Sequence, residues 1–195
     1  MTATAFKIDA KILAYAPWGG NKRTLAPRIV ELLGEHDDYR EPFVGGCAIL
    51  PRKKRSRWES INDANPAVVN VLRCVRDNCK ELAALLDCYQ FDKTIFQAAC
   101  DTISRPGTFK YDYRRAAVQL VAWWMGPNGL AGTTTKPWFA TRHTKTGGSP
   151  VTRWNSFRAS IPALSERLQG VDITCEDFRE VADPIIDRRG LSLYV

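Results

Sequence analysis

Residues 41–46, Glu-Pro-Phe-Val-Gly-Gly, decide the predicted fold. They end a short predicted strand, residues 39–43, and a predicted helix at residues 48–54 follows them. In a doubly wound sheet the crevice at the carboxyl ends of the strands binds the ligand, and glycine lets the backbone approach it closely. A second strand is predicted at residues 58–62. The carboxylate of Asp63 would therefore lie at the same edge, where it could accept both hydroxyls of a ribose.

Two other interpretations of these features stay open. A glycine-rich turn followed by an aspartate that caps a helix accounts for them equally well. A nicotinamide site is disfavoured, because the segment is not GxGxxG and residues 47–49, Cys-Ala-Ile, offer no groups suited to a pyrophosphate. A small-molecule dehydrogenase is therefore the weakest of the functional alternatives.

The spacing of apolar residues predicts alternating helices and strands along the rest of the chain. A helix at residues 22–33 precedes the first strand, and Gly34 ends it. After the second strand the predicted helices are residues 66–79, 81–89, 93–103, 113–125 and 162–168, and residues 128–152 are predicted to be an exposed loop. Strands at residues 171–175 and 191–195 flank a helix at residues 178–186. This order predicts parallel strands with helical crossovers and a helical insertion after the second strand.

The composition is that of a globular protein. The 195 residues are 45% hydrophobic and 25% charged, which suits one sizeable domain or one domain with a large insertion. No segment approaches the roughly 20 apolar residues of a membrane-spanning helix, and the N-terminus has no signal-peptide pattern, so we expect a cytoplasmic protein without a membrane partner. The six cysteines are scattered without a CxxC pair and the two histidines are far apart. We therefore expect no metal site and reduced, buried thiols.

Positive charge is concentrated in one part of the sequence. The formal net charge is +7, and residues 102–160 contain nine basic residues, nine aromatic residues and one acid, Asp112. Phosphates need cations and unstacked bases need flat partners, so this combination favours a nucleic-acid surface. The alternative is a solvated basic face over an aromatic core.

Five short segments together resemble the Dam-like adenine-N6 DNA methyltransferases. They are residues 17–23, Pro-Trp-Gly-Gly-Asn-Lys-Arg; residues 41–46; residues 61–63, Ile-Asn-Asp; residues 125–130, Met-Gly-Pro-Asn-Gly-Leu; and residues 176–178, Glu-Asp-Phe. They occur in the family's order, and the resemblance covers roughly residues 14–195. The sequence departs from the family at residues 20–22, where Gly-Asn-Lys replaces the Gly-Gly-Lys of many relatives. Lys22 is the best match to the family's lysine.

The resemblance implies an α/β fold, a Rossmann-like sheet of about four parallel strands that binds S-adenosylmethionine. Residues 1–68 and 163–195 would form this methyltransferase core. Residues 69–162 would form a mainly helical insertion with a basic loop that recognises the target. The implied function is site-specific methyl transfer from S-adenosylmethionine to a flipped adenine in double-stranded DNA, in a bacterial or phage-encoded restriction–modification setting.

The resemblance also implies which residues bind the cofactor: Trp18, Gly19, Gly20, Lys22, Glu41, Pro42, Phe43, Gly45, Gly46, Asp63, Asp177 and Phe178. Glu41 and the turn at residues 43–46 would hold the methionine end, because a carboxylate suits an ammonium group and backbone polar groups suit a carboxylate. Asp63 would take the ribose. Asp177 would accept from the adenine amino group, and Phe178 would pack beside that ring.

Seven residues of the implied insertion are candidates for contact with DNA: Arg114, Arg115, Asn128, Lys136, Arg142, Lys145 and Arg153. Phosphate contacts position a protein on the duplex, and base-edge contacts specify sequence. The sequence leaves both roles open for each of the seven residues. Simpler explanations stay open for two cofactor candidates, since Trp18 could be a core aromatic and Asp177 could cap the following helix. The basic run at residues 52–55, with Arg57, is predicted to be a solvated helix end.

The catalytic motif of the resembled family, Asp-Pro-Pro-Tyr at the end of the fourth strand, does not occur in these 195 residues. In that family it accepts hydrogen bonds from the adenine amino group, a poor nucleophile whose lone pair is delocalised. We therefore expect no catalytic residue in this sequence, the motif after Val195, and little or no activity from the 195 residues alone. Three explanations remain: a fragment of an enzyme, a half enzyme completed by a C-terminal partner, or a non-catalytic DNA-binding protein that retains or lacks cofactor binding.

Overall fold

The computed structural model describes residues 15–17, 22–105, 111–127, 138–141, 148–182 and 191–193. Its strands are β1 (Asp38–Glu41), β2 (Trp58–Asn62), β3 (Asp172–Thr174) and β4 (Leu191–Leu193). Its α-helices are α1 (Ala26–Leu33), α2 (Pro66–Asp77), α3 (Cys79–Asp87), α4 (Lys93–Ser104), α5 (Tyr113–Met125), α6 (Pro150–Leu168) and α7 (Phe178–Ala182). Short 3-10 helices lie at Lys22–Thr24 and Leu50–Arg52.

The strands form a parallel sheet in the order β3-β2-β1-β4. The chain proceeds outward from β1 through β2 to β3 and then returns to β4 on the other side of β1. The direction of winding therefore reverses beside β1, and ligands of open α/β sheets bind at the carboxyl ends of strands where this happens. The expected mixed α/β class with a parallel sheet is confirmed.

One face of the sheet carries the buried side chains. Tyr39 and Glu41 on β1, and Glu59 and Ile61 on β2, are all buried, while the intervening residues of these strands are largely half-exposed or exposed. The register pairs Tyr39 with Glu59 and Glu41 with Ile61, so these four side chains lie side by side. Two acids thus stand within an otherwise apolar layer, which is costly unless each has a physical compensation.

Helix α2 begins where the sequence signals predict. The side chain of Asn65 accepts a hydrogen bond from the Ala67 N–H at 2.9 Å, and Pro66 occupies the first turn, where its missing N–H costs nothing. The valines and leucine at residues 68–75 are buried, and the helix contacts α5, α6 and β3. Between α5 and α6, Trp124 and Phe157 stack with ring centroids 4.3 Å apart. The core therefore joins the sheet to the helices that follow β2.

Helix α6 is much longer than predicted. It begins at Pro150 instead of residue 162, and Pro162 lies inside it on the exposed side. An internal proline removes one backbone hydrogen bond, and Pro162 therefore predicts the start of a helix instead of its interior. The buried residues Trp154, Phe157, Ile161, Leu164 and Leu168 form one continuous helical face whose packing outweighs that loss. The proposed domain boundary at residues 162 and 163 falls within this helix.

The predicted helix at residues 48–54 is wrong. Only Leu50–Arg52 form a 3-10 turn, and the backbone becomes extended at Lys53 with ψ 156°. This change of direction carries the Lys53 side chain into the core, where it meets a buried acid. The ion pair between Lys53 and Glu59 thus outweighs the local helical propensity of residues 48–54.

Within the ranges that the structure describes, no helix is both long and apolar enough to cross a membrane. In the same ranges no group of three or more histidine, cysteine, aspartate or glutamate side chains is arranged to hold a metal ion.

Candidate functional site

Glu41 ends β1 and is 2% exposed. Its Oε2 accepts a hydrogen bond of 2.8 Å from the hydroxyl of Tyr39, and no cation of the described residues lies within ion-pair distance of it. Burial raises the pKa of Glu41 to about 8; the Tyr39 hydroxyl and the Lys53 charge oppose the rise, and the Asp63 charge adds to it. Glu41 is therefore largely protonated at neutral pH, and a ligand cation would favour its charged form.

The turn after Glu41 folds back onto the end of β2. The Val44 N–H donates to the Asn62 carbonyl at 2.9 Å, and the Gly45 N–H donates to Asp63 Oδ2 at 2.8 Å. Gly45 has φ +46°, a left-handed conformation in which a side chain is strained although nothing lies within 4 Å of its missing Cβ. Cys47 has φ 51° and is fully buried, so the turn also holds one non-glycine residue in this conformation.

Asp63 is half-buried directly after β2. Its Oδ2 accepts from Gly45 N–H, and its Oδ1 accepts from Asn65 N–H at 2.9 Å. A carboxylate oxygen can accept two hydrogen bonds, so these bonds leave capacity for a pair of ligand hydroxyls. The helix-capping interpretation of Asp63 is wrong, because Asn65 caps α2; Asp63 instead organises the turn and keeps acceptor capacity for a ligand.

Asn62, which was not among the predicted site residues, connects three strand ends. Its Nδ2 donates to the carbonyls of Pro42 at 3.1 Å and Glu176 at 3.0 Å. Its Oδ1 accepts from the Glu176 N–H at 2.9 Å and from the Thr174 hydroxyl at 2.8 Å. All four hydrogen-bonding positions of the buried amide are thus used. The signal available in the sequence was an amide side chain at the end of a predicted strand, one residue before the candidate acid Asp63.

The segment after β3 lies beside the turn after β1. The rings of Phe43 and Phe178 are 5.2 Å apart, and both side chains are about half exposed, at 51% and 44%. Asp177 accepts from the Arg179 backbone N–H at 3.0 Å, so it does cap α7. Arg179 also makes a bidentate ion pair with Asp177, at 2.8 and 2.9 Å, and these hydrogen bonds lower the pKa of Asp177.

The remaining cofactor candidates differ in their placement. Pro42 and Gly46 are buried and act through their carbonyls, which accept from Asn62 and from the Tyr15 N–H at 3.1 Å respectively. Lys22 lies exposed in a 3-10 helix. Trp18, Gly19 and Gly20 lie outside the described residues.

Three of the DNA candidates lie in the described part of the chain. Arg114 is exposed at the start of α5, with its guanidinium 5.8 Å from the Tyr113 ring centroid. Arg115 is half-buried and donates to the Ile103 carbonyl at 3.4 Å, so it holds α5 against the end of α4. Arg153 is half-buried on α6. Asn128, Lys136, Arg142 and Lys145 lie outside the described residues.

The basic run at residues 52–55 is not a solvated helix end. Lys53 is 3% exposed, and its ammonium lies 2.6 Å from Glu59. Arg167 of α6 holds the same carboxylate bidentately, at 2.7 and 2.8 Å. Burial by itself would raise the pKa of Glu59, but the hydrogen bonds and charges of Arg167 and Lys53 outweigh it and lower that pKa. Arg55 donates to carbonyls at the end of α6, so the run ties β2 to that helix.

The parallel sheet thus places a carboxylate at the carboxyl end of each of two neighbouring strands, Glu41 at the end of β1 and Asp63 directly after β2, and open α/β sheets bind their ligands at this edge. Residues 18–98 match the D12 class N6 adenine-specific DNA methyltransferases, and the resemblance seen in the sequence is thereby confirmed. The chain is 36% identical over 81 residues to the Type II methyltransferase M1.LlaDCHI of Lactococcus lactis subsp. cremoris. That similarity covers 39% of this chain and 27% of the relative, so the chain spans about a quarter of that protein's length.

Proposed function

We propose that this chain contains the cofactor-binding part of a DNA adenine-N6 methyltransferase that uses S-adenosylmethionine. The observation that carries the proposal is the grouping of Glu41 and Asp63 at the carboxyl edge of the sheet, on the segment that matches the methyltransferase family. The same edge brings the turn at residues 43–46 against Phe178.

The chemistry of the side chains fits the cofactor. A buried carboxyl group whose pKa is raised to about 8, with no cation beside it in the described residues, suits the ammonium group of the methionine end. The unused acceptor capacity of Asp63 suits the two hydroxyls of a ribose. The half-exposed rings of Phe43 and Phe178 offer apolar surface for the adenine. Asp177 would accept from the adenine amino group once Arg179 yields one of its hydrogen bonds.

Bound S-adenosylmethionine would supply an electrophilic methyl group on its sulfonium. The task of the residues described here would be to hold the methionine end, the ribose and the adenine in one fixed alignment, because alignment supplies much of the rate in a direct displacement. Trp18, Gly19, Gly20 and Lys22 are proposed to complete the site from the N-terminal segment. Residues 69–162 are proposed as the DNA-recognition insertion, and among the three DNA candidates that the structure describes Arg114 is the exposed one.

Calorimetric titration with S-adenosylhomocysteine tests the cofactor proposal. We expect saturable binding by the wild-type chain and a loss of at least about tenfold in affinity for Asp63→Ala, because buried hydroxyls lose a charged acceptor. Asp172→Ala is the matched control, since this exposed carboxylate begins β3 at the opposite edge of the sheet. Equal affinities for the two variants would contradict the assignment of Asp63.

Binding to duplex DNA distinguishes the alternative of a DNA-binding module without a cofactor. For that module no heat would accompany titration with either S-adenosylmethionine or S-adenosylhomocysteine, while DNA binding persisted and weakened steeply with salt. For a methyltransferase, both ligands bind. Tritium transfer from labelled S-adenosylmethionine to adenine in DNA, measured with the product of the intact gene, tests the reaction itself, and absence of transfer would contradict it.

A further inference from the structure

Tyr39 lies on the same strand as Glu41 and donates a hydrogen bond to its carboxyl group. The two residues are two positions apart on β1, so their side chains point to the same face of the sheet. Tyr39 is 0% exposed, and its hydroxyl reaches along the strand to donate to Glu41 Oε2 at 2.8 Å. In the part of the chain that the structure describes, this phenol is the hydrogen-bond partner of the candidate cofactor carboxyl.

The ring of Tyr39 is fixed by a charged cluster behind it. The Lys53 ammonium lies 4.5 Å from the ring centroid, within the range of a cation–π contact. Lys53 is itself held by Glu59 at 2.6 Å, and the His36 ring lies 5.7 Å from the Tyr39 ring. The phenol therefore stands between the ion pairs at the amino end of the sheet and the carboxyl group at the other end.

We propose that Tyr39 is a positioning residue for cofactor binding, whose hydroxyl orients Glu41 and favours its ionisation when the ammonium group of the cofactor arrives. This role rests on the proposed function and assigns to that site a residue that controls the charge of Glu41. A hydrogen bond from a neutral phenol stabilises the carboxylate more than the carboxylic acid, because the acid makes the weaker acceptor.

Binding would release one proton. In the ligand-free protein burial raises the pKa of Glu41 to about 8, so the group is mainly protonated at pH 7. When the ammonium arrives, the carboxyl O–H bond breaks, its proton passes to the solvent, and the carboxylate pairs with the ammonium. Lys53 assists this ionisation and Asp63 opposes it. The thiol of Cys47 also faces Glu41, but burial raises its pKa so far that it stays neutral.

Titration of S-adenosylhomocysteine from pH 6 to 9 tests the proposal in wild type, Tyr39→Phe and Tyr15→Phe. Tyr15 is the matched control, because it is 1% exposed and its hydroxyl also donates a 2.8 Å hydrogen bond, but to the Leu164 carbonyl. We expect wild-type affinity to rise by up to about tenfold per pH unit towards pH 8 and to fall above it as the ligand's amino group loses its proton. Tyr39→Phe moves the rise upward by about one pH unit, which makes binding about tenfold weaker at pH 7. Tyr15→Phe keeps the wild-type profile.

Calorimetry in two buffers of different ionisation enthalpy counts the protons released by wild type. We expect close to one proton at pH 7 with S-adenosylhomocysteine. We expect none with 5′-methylthioadenosine, which lacks the ammonium group. Identical pH profiles for Tyr39→Phe and Tyr15→Phe, or binding of S-adenosylhomocysteine without proton release, would overturn the proposal.

A measurement without ligand separates this proposal from the proposed function. Carboxyl-carbon NMR of glutamate-labelled protein reports the titration of Glu41, and we expect a higher pKa in Tyr39→Phe than in wild type. If that shift is seen but S-adenosylhomocysteine does not bind, the cofactor assignment fails and the Tyr39–Glu41 coupling stands. If the ligand binds but the pKa of Glu41 is the same in both proteins, the coupling fails and the cofactor assignment stands.

Discussion

Glu41 and Glu59 are two buried acids on the same face of neighbouring strands, and they are compensated in different ways. Glu59, near the start of β2, is held by Lys53 and by a bidentate contact from Arg167. Glu41, at the end of β1, accepts a hydrogen bond from Tyr39 and has no cation within ion-pair distance among the described residues. Their pKa values accordingly move in opposite directions, down for Glu59 and up to about 8 for Glu41.

The difference separates the structural role of Glu59 from the binding role proposed for Glu41. The Glu59 carboxylate is paired through both oxygens, and its cluster fastens α6 and the segment after residue 52 to the amino end of the sheet. Glu41 is buried without a cation of the described residues beside it, so its ionisation is unfavourable in the free protein. Such buried acids are characteristic of sites where a ligand supplies the positive charge. It also lies at the edge of the sheet where strands of this kind bind ligands.

Breaking the complete cluster should have the largest effect. Glu59→Ala leaves Lys53 and Arg167 as buried cations without their acid, and we expect the free energy of unfolding to fall by about 3–5 kcal/mol. Urea unfolding measures the loss. Asp87→Ala is the control, because it removes an acid from the partly exposed pair with Arg158 and should cost less than about 1 kcal/mol. Similar losses in both variants would mean that the cluster does not fasten the fold.

Removing the amide that connects the strand ends should have the next largest effect. Asn62→Ala leaves the carbonyls of Pro42 and Glu176 without their donor, and we expect a loss of about 2–4 kcal/mol in unfolding free energy. We also expect at least about tenfold weaker binding of S-adenosylhomocysteine in the folded variant, because both candidate loops lose their anchor. Asn155→Ala, at an exposed amide on α6, should change neither quantity. Unchanged ligand affinity in Asn62→Ala would contradict a positioning role.

Replacing the uncompensated acid should stabilise the protein. At pH 8.5 Glu41→Gln removes a buried charge, and we expect a gain of about 1–2 kcal/mol in unfolding free energy together with at least about tenfold weaker binding of S-adenosylhomocysteine. Thermal unfolding and calorimetry at the same pH measure the two effects. A variant that is less stable than wild type and binds as well would show that Glu41 is structural.

The pH dependence of stability should differ between the two acids. The pKa of Glu41 is raised from 4.5 to about 8, so the folded protein holds a proton that the unfolded chain has released, and stability falls as pH rises through that window. The pKa of Glu59 is lowered, so its contribution is present above the ordinary glutamate pKa and is lost as the pH falls below it. Between pH 5 and 8, Glu41→Gln should therefore flatten the stability profile and Glu59→Gln should not.

The smallest effect is expected at the exposed ion pair after β3. Arg179→Ala should leave the unfolding temperature unchanged, because both partners are exposed and solvent screens their attraction. It should strengthen binding of S-adenosylhomocysteine slightly, since the Asp177 carboxylate then loses its two guanidinium donors and keeps only the backbone N–H of residue 179, which leaves more acceptor capacity for the adenine amino group. Arg28→Ala removes a similarly exposed partner on α1 and should alter neither property. Weaker ligand binding in Arg179→Ala would mean that the arginine itself contacts the ligand.

The sequence predicted most elements because their signals are local. Asn65 and Pro66 mark the start of α2, and Gly34 ends α1 with φ 63°. It also placed Glu41 in the last part of the first predicted strand and Asp63 directly after the second. It missed the long α6 because the penalty of Pro162 is visible locally, whereas the packing of Trp154 that offsets it is not. It missed the role of Asn62 because both partners of its donor lie far away along the chain.

By itself, the sequence determined the parallel α/β class, the motifs shared with the adenine methyltransferases, and the carboxylates at the strand ends. These properties follow from apolar spacing, turn chemistry and residue order, all of which are local. Only the tertiary structure decided that Lys53 turns inward to Glu59, and that Tyr39 connects this cluster to Glu41. The charge state of a buried acid depends on which groups the fold places around it, and no local pattern contains that information.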